Sequence, residues 1–154
     1  MSKEVLIRKS KQEDILTIAH RMRGEDVKEI KDSHGFSPYQ ALLFGVHSRG
    51  DCWTILGDDV PEAMMGVVPM SLFSNRGRIW LLGTDVLVKD KKLFVRVSKN
   101  VFENMIKGYS YLENYVSTEN KVSLRWLERI SFEFEEETIM MNDVPFKKFF
   151  MEMN

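Results

Sequence analysis

The sequence predicts a single α/β (α+β) domain built on a mixed sheet of seven strands with four helices. Three observations carry that expectation. Apolar residues recur with a period of two in some segments and with a helical period in others. In the second half these patterns alternate, which implies a sheet covered by helices. The last two strand patterns are separated by Asn142-Asp143, a turn short enough for antiparallel pairing.

The elements follow in the order β-α-α-β-β-β-α-β-α-β-β. Residues 4–9 read as a strand, with Val5 and Ile7 alternating against Glu4 and Arg8. Ser10 followed by Glu13 resembles a capping box, so a helix is expected from there. Ile15, Ile18, Ala19 and Met22 give it an apolar face, charged residues continue to Asp32, and Gly35 stops it. Ser37-Pro38 opens a second helix, carrying Ala41, Leu42, Phe44 and Gly45 and ending at Arg49-Gly50. Residues 52–56 and 62–70 read as strands around the turn Gly57-Asp58-Asp59. Residues 78–88 form a long apolar run, expected to be one central strand buried on both faces. A helix is expected over residues 90–108, with Leu93, Phe94, Val97, Val101, Met105 and Ile106 on one face. A strand at residues 111–116 then leads to a helix carrying Val122, Leu124, Trp126, Leu127 and Ile130. Phe132-Glu133-Phe134-Glu135 alternates as a half-solvated strand should, and residues 146–153 return as the last strand.

The chain has 154 residues, and neither a repeat nor a linker divides it, so residues 1–154 read as one domain. Twenty-two basic and 23 acidic side chains nearly cancel, which argues against a nucleic-acid binder. Cys52 is the only cysteine, so no internal disulfide forms. Its place at the head of a strand beside Trp53 suits a buried thiol. With three histidines, little is left for a metal site, and none is expected. No signal peptide or membrane-spanning run is visible. The expected location is the cytoplasm, or a particle assembled in it. Glu133, Glu135, Glu136 and Glu137 read as a solvated strand face that discourages edge pairing. Phe146, Phe149, Phe150, Met151 and Met153 either close the core or form a self-association surface.

The chain resembles the Gcn5-related N-acetyltransferase (GNAT) superfamily. The signature lies at Asn120, Ser123 and Phe132, which match that family in identity and spacing. Leu127 and Ser131 depart from it, since the family has an aromatic and a glycine there. The opening Ile7-Arg8 followed by Asp14-Ile15 also fits. Within the superfamily the chain is most similar to short acetyltransferase-like internal virion proteins of tailed phages. Arg8, Asp14, residues 26–30, residues 61–66 and Trp80 carry that likeness.

The resemblance implies strands that splay apart to take an acyl thioester, with acetyl-CoA as the cofactor and an amine as the acceptor. The strands would be residues 78–88 and 111–116. Backbone contacts to the pantetheine arm would fall at Val86, Leu87 and Val88. The family's glycine-rich phosphate loop maps onto Leu93, Arg96 and Ser98, so its glycines and its leading polar residue are missing. Arg96 either fills the phosphate's space or joins Lys91 and Lys92 as a charged replacement for backbone donors. Lys89, Lys91 and Lys92 also read simply as a solvated helix start. Asn120 and Ser98 complete the cofactor-binding candidates. Asp85 is the candidate general base, with Glu62 behind it. Leu127 stands where the family has its tyrosine acid, which leaves Tyr115 or Tyr109 to substitute. Two readings stand. One is an acyl-CoA-dependent N-acyltransferase. The other is a scaffold without cofactor that serves as a virion component or binds a host protein.

Overall fold

The structure, a computed structural model, describes residues 4–153. The side chains of Leu87, Lys91, Lys92 and Leu93 lie outside that description. Seven strands are formed: β1 (Val5–Lys9), β2 (Cys52–Gly57), β3 (Val60–Pro69), β4 (Arg76–Gly83), β5 (Tyr111–Ser117), β6 (Glu133–Met141) and β7 (Val144–Glu152). They make one sheet in the order β1-β2-β3-β4-β5-β7-β6, antiparallel except for β4 against β5. Helices α1 (Asp14–Ala19), α2 (Gly24–His34) and α3 (Pro38–Val46) precede β2. Helices α4 (Val86–Lys89) and α5 (Lys91–Met105) link β4 to β5, and α6 (Lys121–Arg129) links β5 to β6. The mixed α/β sheet and the strand count agree with the sequence.

Two expectations are corrected. The first expected helix is two, α1 and α2. Between them Met22 bridges to Thr84, and the Arg23 amide donates to the Gly83 carbonyl at 2.8 Å. Pairing with a distant strand end therefore overrides the helical pattern. Ser10 does not cap α1. Its hydroxyl bonds Thr54 Oγ1 at 2.8 Å and accepts from Cys52 Sγ at 3.1 Å instead. The second correction is at β4, which ends at Gly83 rather than Val88, and residues 86–89 form the extra helix α4.

Side chains of β3 alternate into two cores, and both Met64 and Met65 are fully buried. Met64 packs with Ile15, Ile18, Leu42 and Leu82 beneath α1–α3. Met65 packs with Ile79, Phe102, Leu112, Trp126 and Phe149 beneath α5 and α6. Each such fully buried side chain is worth about 1.5–3 kcal/mol of transfer free energy. Phe146 and Phe149 are buried, so the last strand closes the core. Trp80 lies close against α3: a Cβ on Gly45 would come within 2.4 Å of its ring.

Candidate functional site: a bridged split between two parallel strands

Strands β4 and β5 pair only over Arg76–Arg78 and Tyr111–Glu113, then part. The expected wedge is therefore present. Beyond the last pair, the Asn114 side chain crosses the gap and donates to the Ile79 carbonyl at 2.9 Å. Antiparallel pairing with β3 uses the peptide groups of alternate β4 residues. That alternation turns the peptide groups of Ile79, Leu81 and Gly83 toward the gap.

Helix α2 closes the wide end. Arg23 fixes its start to Gly83, and the helical period then sets Asp26 and Glu29 three residues apart on one face. Asp26 Oδ2 accepts the Gly83 amide at 3.1 Å, and Glu29 Oε1 accepts the Ser117 amide at 2.6 Å. The end of β4 and the end of β5 are thus each tied to a carboxylate of the same helix. Asn120 joins the two carboxylates, donating from Nδ2 to Asp26 at 3.4 Å and to Glu29 at 3.3 Å. Its Oδ1 accepts from Ser123 N at 3.3 Å, so Asn120 also caps α6. Arg23, 5% exposed, donates to Asp26 at 3.0 Å and to Asn120 at 3.3 Å.

Burial pushes the Asp26 carboxyl up to about 6, against the pull of Arg23 and the Gly83 amide. Burial of the Glu29 carboxyl pushes it up to about 7, with the neighbouring Asp26 charge adding to the rise. Below the split lies a cavity of about 100 Å³, lined in part by Leu81, Val95, Val122 and Trp126.

The candidate residues named from the sequence do not converge here, Asn120 and Val88 apart. Val86, Leu87 and Val88 lie in α4, off the β4 ladder, though Val88 reaches the cavity wall. Lys91 and Lys92 have side chains outside the described residues. Arg96 is exposed on α5. Ser98 is fully buried, accepting from Trp126 Nε1 at 3.0 Å and donating to the Val95 carbonyl at 3.1 Å. It is a core hydroxyl between α5 and α6. Asp85 is exposed at the turn after β4, because β4 has already ended. Tyr115 is half-buried on β5 opposite Lys148. Glu62 is buried on β3, paired with Arg21 and accepting from Thr84 Oγ1 at 2.9 Å. Cys52 is half-buried, and its thiol is pushed up to about 11 by burial, which leaves it unreactive.

Sequence reasoning missed Arg23, Asp26, Glu29 and Asn114. The three-residue spacing of Asp26 and Glu29 was visible, but on an amphipathic helix acidic residues ordinarily face water. Among the described residues, no group of three or more His, Cys, Asp or Glu side chains is placed to hold a metal ion. Among them, too, no helix is long and apolar enough to cross a membrane.

A family model described as "Bacteriophage T7, probable scaffold protein Gp13" matches residues 59–139. No curated protein matches the chain. Solved acetyltransferases share its fold. The ribosomal-protein-S5-alanine acetyltransferase of Vibrio fischeri superposes with a TM-score of 0.69 at 16% identity, covering 99% of this chain and 96% of that one. A variant of the spermidine N-acetyltransferase of Vibrio cholerae gives 0.69 at 10% identity, with 96% and 93% covered. A GNAT-family acetyltransferase of Bacillus anthracis gives 0.67 at 13% identity, with 97% and 94% covered. At these identities the likeness establishes the GNAT fold.

Proposed function

The chain belongs to the family of the bacteriophage T7 probable scaffold protein Gp13, and from that premise we propose that it is a non-catalytic protein of phage assembly built on the acetyltransferase fold. One observation carries the reading. The split that would take an acyl thioester is tied shut across its wide end, by Asp26 on the Gly83 amide and Glu29 on the Ser117 amide. A thioester entering by the wide end would have to displace these two carboxyl groups from the backbone amides they hold. Asp26 is in turn held by Arg23 at 3.0 Å, so its bond is costly to displace. The phosphate end fits no better. Arg96 and Ser98 stand in α5 where the resemblance places the loop's glycines, and Ser98 is fully buried against Trp126 rather than offering an open phosphate cradle. The residues present therefore do not fit acetyl-CoA.

A fold does not carry an activity by itself. An assembly protein needs only a stable body and surfaces, and both cores supply the first. The test is mass spectrometry of purified particles and of assembly intermediates from infected cells. The chain is expected in one or both at a fixed stoichiometry. Its absence from both would overturn the assembly role.

One observation favours a second reading, N-acyl transfer to an amine. The peptide group of Leu81 faces the gap between the two tied positions, and Leu81 lines the cavity beneath. On that reading α2 would have to withdraw before a thioester could enter.

A further inference from the structure

Within the split, one guanidinium faces two carboxyl groups. Arg23 is 3.0 Å from Asp26, and Glu25 reaches the same guanidinium from the solvent side at 3.6 Å. Glu29 has no cation of its own among the described residues and is held by the Ser117 amide and Asn120. The other charges around α2 are engaged or peripheral. Lys28 bridges Asp32 at 2.7 Å and Glu119 at 3.1 Å. Arg125 and Arg129 of α6 lie on the cavity wall that Asp26 shares. Strands β4 and β5 offer the amides of Gly83 and Ser117. With both carboxyls ionised, the gap would therefore hold a negative charge that Arg23 does not balance. Asp26 is buried and Glu29 half-buried, so an uncompensated charge between them is poorly solvated and disfavoured.

We propose that Asp26 and Glu29 share one proton, and that its loss releases α2 from the end of β5, so that the β4–β5 split is latched at mildly acidic pH and unlatched as pH rises. The proton leaves to water, and the only covalent bond broken is the carboxyl O–H. Glu29 is the member that lets go, because Asp26 keeps Arg23 and the Gly83 amide. The inference rests on the reading that α2 closes the split. It adds the condition under which the closure holds. The rise of both carboxyls toward neutrality, caused by burial, agrees with that window.

Residue-resolved amide hydrogen exchange on the full chain reads the latch directly at Ser117 and Gly83. After correction for the intrinsic pH dependence of exchange, Ser117 protection should fall by up to about tenfold per pH unit between about pH 5 and pH 7 and level off above, as one linked proton requires. E29Q keeps an acceptor for the Ser117 amide and has no proton to lose, so its protection should stay level. High protection unchanged with pH would overturn the latch and leave the closed split standing. Low protection at every pH would overturn both. Should E29Q fail to fold, the pH series on the native chain decides alone.

Discussion

Glu29 accepts the Ser117 amide at 2.6 Å across 88 residues of sequence, at the point where β5 has already left β4. With the Asp26–Gly83 bond it converts a splayed pair of strands into a bridged one. The bridge has a consequence for stability. The folded-state values of Asp26 and Glu29 are raised to about 6 and about 7. A carboxyl raised in this way contributes stability that is fully present below its unfolded value of about 4, lost as pH rises through the folded value. The melting temperature should therefore decline from about pH 5 to about pH 8, and D26N and E29Q should flatten the decline. A melting temperature that climbs across this window in the native chain would contradict the assignment.

Arg8 grips Asp14 through two bonds, of 2.8 and 2.9 Å, while Asp14 is 1% exposed. Desolvation works against the Asp14 carboxylate, but bonds from Arg8, the Lys11 amide and Thr54 outweigh it and hold the group below its ordinary value. Arg8→Ala strands a buried charge and should cost about 3 kcal/mol in chemical denaturation. The native pair contributes above the ordinary carboxylate value of about 4 and fails below it, so the deficit of the variant should shrink in acid. An equal deficit at about pH 3 and about pH 7 would assign the loss to packing instead.

Gly50 lies under the edge of β3, where a Cβ would fall 1.5 Å from the Val67 carbonyl oxygen. Backbone cannot swing aside as a flexible side chain does. Gly50→Ala should destabilise by about 3 kcal/mol or more, visible as a shifted denaturant midpoint. Gly24→Ala, where a Cβ would have open space, serves as the control and should leave the midpoint nearly unmoved. A Gly50→Ala midpoint equal to the native one would show that β3 and the loop before β2 are less rigidly placed.

Much of this fold is legible where local chemistry decides it. Ser37 caps α3 with Pro38 inside its first turn and Gln40 completing the box, and Gly35 ends α2 with φ at 71°. The period-two run of β1 and the helical period of α5 survive intact, because the core rewards both. The failures share one cause. Residues 10–32 look like one helix until Gly83, far along the chain, claims the Arg23 amide. The apolar run through Val88 looks like one strand until Arg23 and Asp26 take the peptide groups of Gly83, and α4 begins soon after. Asp26 and Glu29 carry no local mark of burial, since only the parting of β4 and β5 creates the amides they answer. Asn120 and, on the cavity wall, Val88 were legible as part of the site, and Asn120 caps α6.

The most direct measurement is calorimetric titration of the full chain with acetyl-CoA on the acidic side of neutrality, where the split is bridged. The account predicts no saturable heat up to about 1 mM cofactor. Saturable one-to-one binding with a dissociation constant of a few micromolar, lost in a variant that fills the cavity such as Leu81→Trp, would contradict it. That result would restore the open split of an acyltransferase.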